Sequence, residues 1–167
     1  MRKFIEFLKE VLNTKTYKWV KSEFLFRKTA YFKTTSNKDY FLCVDEISTE
    51  VYNIHFYYEK NGEKIITLTS DNSGDEFEIL GNIKNAVTEF MSENEYIEFI
   101  GFSSFENERH DLYSMFLKHI SSNKFISYWK KINKNYYYFL KSKNISDISL
   151  NNYEEKFIKY DKKNKYY

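Results

Sequence analysis

The chain has 167 residues, of which 20% are aromatic and 30% are charged, and its formal net charge is +2 at pH 7. This length suits one hydrophobic core, and the aromatic content excludes an intrinsically disordered chain. The single cysteine, Cys43, excludes an intramolecular disulfide and a cysteine-based zinc site.

The first half of the chain reads as one helix followed by strands. Apolar residues at helical spacing predict an amphipathic helix over 3–12, whose charged residues interrupt any signal peptide. Alternating patterns predict strands over 23–32 and 40–44, the second of which would bury Cys43 as a quiet thiol. Asn61-Gly62 predicts a type I′ hairpin that pairs Lys60 with Glu63 and Glu59 with Lys64.

The second half alternates helices and strands. Ser73-Gly-Asp-Glu76 has the form of a capping box and predicts a helix over about 74–92. The pattern next predicts a strand over 96–102 and a helix capped by Ser104. It then predicts two late strands and a closing helix over 150–160. We predict an α+β fold, an antiparallel sheet with helices packed on one face. Residues 1–160 would form one domain, and residues 161–167 a basic, unstructured tail.

Few residues have the spacing that catalysis or metal binding requires. At helical spacing, His110 and His119 lie on opposite faces of their helix, and His55 would meet either only through tertiary contact. We therefore predict no catalytic residue, no metal and no cofactor. The enzyme alternative is a site of unfamiliar chemistry around Glu106, Arg109 and His110.

Charge is distributed unevenly along the chain. Residues 71–108 contain ten acidic residues and one lysine, a net charge of −9, whereas residues 121–167 have a net charge of +7. Such polarity predicts surfaces that attract oppositely charged partners. The acidic partner-binding candidates are Asp75, Glu76, Glu93, Glu95, Glu98, Glu106 and Glu108.

The basic carboxyl-terminal third also contains many aromatic rings. Lysines beside stackable rings are typical of surfaces that bind single-stranded nucleic acid, and aromatic rings are also typical of protein hot spots. In a strand, alternate rings would face the core. The candidates for binding a partner or nucleic acid are Tyr128, Trp129, Lys130, Lys131, Lys134, Tyr136, Tyr137 and Tyr138.

The segment Phe99–Phe116 has a strand, a serine-containing loop, and then Arg109 followed by Leu112-Tyr113. This order resembles small accessory proteins of bacteriophages and mobile elements. The resemblance implies an α+β fold and a phage or mobile-element source, with no catalytic residues to transfer.

We therefore expect a cytoplasmic protein, without a membrane partner, that binds a host protein or ribonucleoprotein complex. The inhibited complex would be an antiviral nuclease, so that the protein acts as an anti-defence, CRISPR-inhibiting factor. The alternative is an accessory protein that binds nucleic acid through the aromatic, basic third. The sequence leaves the oligomeric state open.

Overall fold

A computed structural model describes residues 16–22, 24–65, 74–105 and 107–164 of the chain. The described residues form one mixed sheet and three α-helices, which confirms the α+β fold. The helices are α1 (Glu76–Glu93), α2 (His110–Ile120) and α3 (Asp147–Asn164). The strands are β1 (Lys18–Val20), β2 (Arg27–Lys33), β3 (Asp39–Ser48), β4 (Val51–Lys60), β5 (Glu63–Ile65), β6 (Phe99–Ser104), β7 (Phe125–Ile132) and β8 (Asn135–Ser142).

The strands hydrogen-bond in the order β1-β2-β3-β4-β6-β8-β7, and β5 pairs with β4. The sheet is mixed rather than antiparallel, because β4 and β6 are parallel, with Val51 opposite Phe99. Between these two strands the chain passes through α1, and a parallel pair needs such a crossover connection. None of the helices in the described ranges has the length and apolar character needed to cross a bilayer.

The contacts divide the chain into two compact units. The described residues of the first unit come from 16–43 and 55–93, and those of the second from 44–54 and 94–164. The prediction of a single domain over 1–160 stays a prediction.

In the first unit, the predicted β4–β5 hairpin is confirmed. Lys60 pairs with Glu63 and Glu59 pairs with Lys64. Both turn residues have positive φ, 54° at Asn61 and 81° at Gly62, as a type I′ turn requires. The predicted helix over about 74–92 is confirmed as α1, whereas its predicted cap Ser73 and the predicted helix over 3–12 lie outside the described residues.

Two other features of the first unit bear on the sequence predictions. Cys43 is 1% exposed, with its Sγ 3.8 Å from Thr29 Oγ1, which confirms the prediction of a buried thiol. The strand predicted from residue 23 begins only at Arg27, because the preceding residues form a turn in which Phe24, Leu25 and Phe26 are exposed.

In the second unit, the two helices lie on opposite faces of the sheet rather than on the one face that we predicted. Tyr113 of α2 packs against Tyr138, with ring centroids 5.7 Å apart. Phe157 of α3 packs against Phe139, with centroids 5.4 Å apart. Since successive strand residues point to opposite faces, β8 presents apolar rings on both sides, and each side must be covered.

The ends of these helices also differ from the sequence predictions. Ser104 is the last residue of β6 and does not cap α2, which follows a 3₁₀ turn over Asn107–Arg109 and has Arg109 at its N-cap. Residues 161–164, predicted as tail, are helical. Asp161 anchors this last turn of α3 by accepting a 2.6 Å hydrogen bond from the Ser103 hydroxyl.

Gly101 provides the space in which α3 approaches the sheet. A Cβ at this position would lie 2.8 Å from ring atoms of both Phe139 and Phe157. We expect Gly101→Ala to lower the free energy of unfolding by about 1–3 kcal/mol, because one of these rings must move. Denaturant titration measures the change. Adding Phe157→Leu should recover part of the loss, and an unchanged stability of the single variant would contradict this packing.

Candidate partner-binding surface

The β7–β8 hairpin divides the predicted basic and aromatic residues between two faces of the sheet. Trp129 is opposite Tyr138 and Lys131 is opposite Tyr136, so these four side chains share the α2 face. The remaining strand candidates, Tyr128, Lys130 and Tyr137, share the α3 face, and Lys134 is exposed in the turn.

On the α3 face, the predicted binding residues contact α3 instead of solvent alone. Glu154 of α3 is 8% exposed and accepts hydrogen bonds from the Tyr128 hydroxyl at 2.7 Å and from Lys130 Nζ at 2.5 Å. Burial and the Glu154 carboxylate raise the pKa of Tyr128 well above its ordinary value. Tyr137 is 1% exposed beneath the same helix. These three residues therefore attach α3 to the sheet.

On the α2 face, three aromatic rings contact the ring of His110. The His110 ring is stacked on Tyr136 and meets Trp129 edge-on, with both centroid distances 4.4 Å. His110 Nδ1 also lies 3.0 Å from the Tyr138 hydroxyl oxygen. We call these residues, His110, Trp129, Tyr136 and Tyr138, the aromatic cluster.

The aromatic cluster is closed at its base and open at its edge. Tyr138 is fully buried, whereas Trp129 is 46% exposed. The ammonium of Lys131 lies 4.9 Å from the centroid of the Tyr136 ring, a cation–π distance. The cluster therefore presents an indole and a cation to solvent on a rigid aromatic support.

A shallow groove continues from Trp129 toward α2. Its volume is about 280 Å³, and it is lined by Ser114, Leu117 and Lys118 of α2 and by Ser127, Tyr128 and Trp129 of β7. Together, the aromatic cluster, Lys131 and this groove form what we call the aromatic edge surface. The sequence singled out Trp129 and Tyr128 but missed the α2 residues, since nothing in the pattern places that helix beside β7.

The acidic candidates belong to both units. In the first unit, Asp75 is 5% exposed and accepts a hydrogen bond from Ser36, Glu76 begins α1, and Glu93 lies 3.8 Å from Lys28. In the second unit, Glu98 accepts a 2.7 Å hydrogen bond from Tyr153, and Glu95 is exposed. Asp75 and Glu98 thus have structural partners. Glu106 and the side chain of Glu108 lie outside what the structure describes.

Of the residues of the alternative catalytic site, Glu106 lies outside the described residues and Arg109 is at the N-cap of α2, so this alternative stays a prediction. Its histidine, His110, is held within the aromatic cluster. Within the described ranges, no group of three or more histidine, cysteine or acidic side chains could hold a metal ion. Comparison of the sequence with protein-family models and with curated proteins gives no match.

The contact between Glu98 and Tyr153 predicts a measurable pH effect. Burial first, and the Glu98 carboxylate second, raise the pKa of Tyr153 to about 12 from 10.0. Because the pKa of Tyr153 is higher in the folded state than in the unfolded state, the contact with Glu98 stabilises the fold fully below pH 10.0. This contribution to stability is lost as the pH rises through about 12.

We expect Glu98→Gln to lower the pKa of Tyr153, because the charge that opposes formation of tyrosinate is gone. Tyrosinate absorbance during an alkaline titration measures the shift, and Tyr153→Phe identifies the signal. Glu155→Gln, which changes an exposed carboxylate of α3, is the matched control and should leave the titration unchanged. A titration of Glu98→Gln identical to that of the wild type would contradict the contact.

Proposed function

We propose that this is a binding protein whose interface is the aromatic edge surface. It would act by binding to a host protein or ribonucleoprotein complex and inhibiting it, as an anti-defence accessory protein of a bacteriophage or mobile element would. The observation that carries the proposal is the half-exposed Trp129, fixed in place by His110 and Tyr136.

The support comes from the energetics of such surfaces. A few residues, most often tryptophan, tyrosine and arginine, contribute most of the energy of a protein interface. A ring that is already held by its neighbours loses little conformational entropy when a partner covers it. Trp129 has this support on one side and solvent on the other, so its burial by a partner is favourable.

Charge supports a partner with an anionic surface. Lys118 on α2 and Lys131 on β7 are both exposed at the aromatic edge surface. A different route to inhibition would use the acidic candidates to imitate the phosphates of nucleic acid toward a basic channel of the host complex. This route is less well supported, because the carboxylates of Asp75 and Glu98 already accept hydrogen bonds within the protein. We therefore assign the interaction to the basic, aromatic end of the chain.

The resemblance of Phe99–Phe116 to phage accessory proteins supports the choice of partner. This segment contains His110, which positions Trp129 within the aromatic cluster. An antiviral nuclease complex of the CRISPR type, located in the host cytoplasm, is the proposed target. Such complexes combine anionic guide RNA with protein surfaces, and both are suited to a lysine-rimmed aromatic surface.

The test is protection of a phage from a CRISPR nuclease. The protein is expressed in bacteria that carry an active nuclease of each major type, and a phage matched by the guide is plated. We expect plating to be restored against at least one type and lost with Trp129→Ala. Ile148→Ala, which truncates an 84% exposed side chain at the start of α3, is the control and should retain protection. Failure against all types would overturn the proposal.

A second function is favoured by the same rings. Trp129 and Tyr136 lie side by side, with centroids 5.9 Å apart, and the Lys131 ammonium lies above Tyr136. Single-stranded nucleic acid binds to such surfaces by stacking bases on rings while lysine neutralises phosphate. The alternative is therefore an accessory protein that binds single strands.

Fluorescence polarisation with labelled oligo-dT and oligo-rU tests this alternative. If it holds, affinity should fall steeply as salt rises, and Trp129→Ala should cost about 1–3 kcal/mol of binding free energy, the value of one stacked base. Lys131→Glu should weaken binding, while Lys64→Glu, on the β5 strand of the first unit, serves as the charge-matched control. Absence of salt-sensitive binding would exclude the alternative.

A further inference from the structure

We infer that the outer edge of β7 binds an extended, acidic segment of the partner protein as an additional strand of the sheet. This inference rests on the proposed function, because it names the kind of partner that the aromatic edge surface would take. It adds a binding mode, β-strand addition, in which backbone hydrogen bonds provide affinity and alternate side chains provide specificity.

Strand β7 has the regularity that strand addition needs. It ends the strand order, and no strand among the described residues lies on its other side. Its register with β8 is continuous over eight residues, from Phe125 opposite Ser142 to Ile132 opposite Asn135, with no bulge. Natural edge strands are commonly shortened or bulged to prevent such pairing. Here an uninterrupted edge of eight residues is retained.

The register also determines which backbone groups point outward. The two-residue turn makes Ile132 and Asn135 a hydrogen-bonded pair, and such pairs alternate along an antiparallel ladder. Ser127, Trp129 and Lys131 are therefore in the other kind of pair, with their N–H and C=O groups directed away from β8. Phe125 shares this orientation, but its C=O accepts a hydrogen bond from the Ser122 N–H, and its N–H donates one to the Ser122 hydroxyl. Three residues thus offer backbone donors and acceptors to a partner.

The groove lies where the side chains of an added strand would fall. The side chains of Ser127 and Trp129 point to the α2 face and line the groove together with Leu117 and Lys118. Every second side chain of an added strand points to that same face. The groove would accept an apolar side chain between the indole of Trp129 and Leu117.

The charges at this edge select an acidic segment over a second copy of the chain. Lys118, Lys124 and Lys131 are exposed around β7, whereas Lys130 is paired with Glu154 on the α3 face, and the one acidic residue of α2 is Asp111, in its first turn. Two copies paired edge to edge would bring their lysines together, and like charges on paired strands are destabilising. A partner strand with glutamate or aspartate between its apolar residues would instead complement them.

Selection from a random dodecapeptide library displayed on messenger RNA tests the inference with the full chain as bait. We expect enriched peptides to be acidic, with apolar residues at every second position, and to bind at least about tenfold more weakly when their acids are changed to lysine. Enrichment of basic peptides, of peptides with helical spacing, or of none above background would overturn it. Concentration-dependent dimerisation through β7 would overturn it equally.

Ser127→Pro is the diagnostic variant. Because the N–H of Ser127 points outward, proline there removes a donor from the partner without removing a bond to β8. We expect Ser127→Pro to abolish binding of the selected peptide and Ser127→Ala to retain it. Equal binding by wild type and Ser127→Pro would show that the peptide does not pair with the strand.

Amide hydrogen exchange on the wild-type protein keeps the test decisive if Ser127→Pro does not fold. The selected peptide should slow exchange at Ser127, Trp129 and Lys131, whereas Ile126 and Tyr128 are already protected by β8. No slowing at the three outward amides would overturn the inference. If phage protection survives in Ser127→Pro but not in Trp129→Ala, strand addition fails while the proposed function stands. If the selected peptide pairs with β7 but the protein does not protect the phage, the proposed function fails while strand addition stands.

Discussion

The burial of β8 on both faces is the constraint on which the second unit depends. Tyr137, Tyr138, Phe139 and Leu140 follow one another, and none is more than 1% exposed. Rings of this size exclude water only if something covers each side of the strand, so α2 and α3 take opposite faces. Gly101 on the neighbouring strand then provides the depth that Phe157 needs. Helix placement in this unit follows from one strand.

The aromatic cluster is a consequence of the same strand. Tyr136 and Tyr138 point to the α2 face because they alternate with Tyr137, and they fix the position of His110 through a stacked ring and a hydroxyl. His110 in turn supports Trp129 from the side. The aromatic cluster is thus continuous with the core rather than attached to a loop, which gives this surface little flexibility.

Local patterns in the sequence predicted most of the local structure, apart from the start of β2, the cap of α2 and the end of α3, and they predicted the three-dimensional arrangement less well. Asn61-Gly62 and its flanking charges predicted the hairpin register, because turn chemistry acts between adjacent residues. The parallel pairing of β4 with β6 and the opposite placement of α2 and α3 depend on contacts between distant residues, for which the sequence contains no periodic signal. The residues of the aromatic edge surface show the same contrast between local patterns and contacts between distant residues. Alternation predicted that at least half of the Tyr136–Phe139 rings would lie in the core, and three of the four are buried, but the support of Trp129 by His110 depends on tertiary packing.

The alternation of β8 also limits how this chain can evolve. Inserting or deleting a single residue within Asn135–Ser142 would exchange the two faces of every later position, sending Tyr136 toward α3 and Tyr137 toward α2. Substitution is therefore a far easier route of divergence than a change in length along this strand. Distant relatives should be recognisable by an ungapped block of eight residues with consecutive apolar positions at its centre, between two short turns, even where few identities remain.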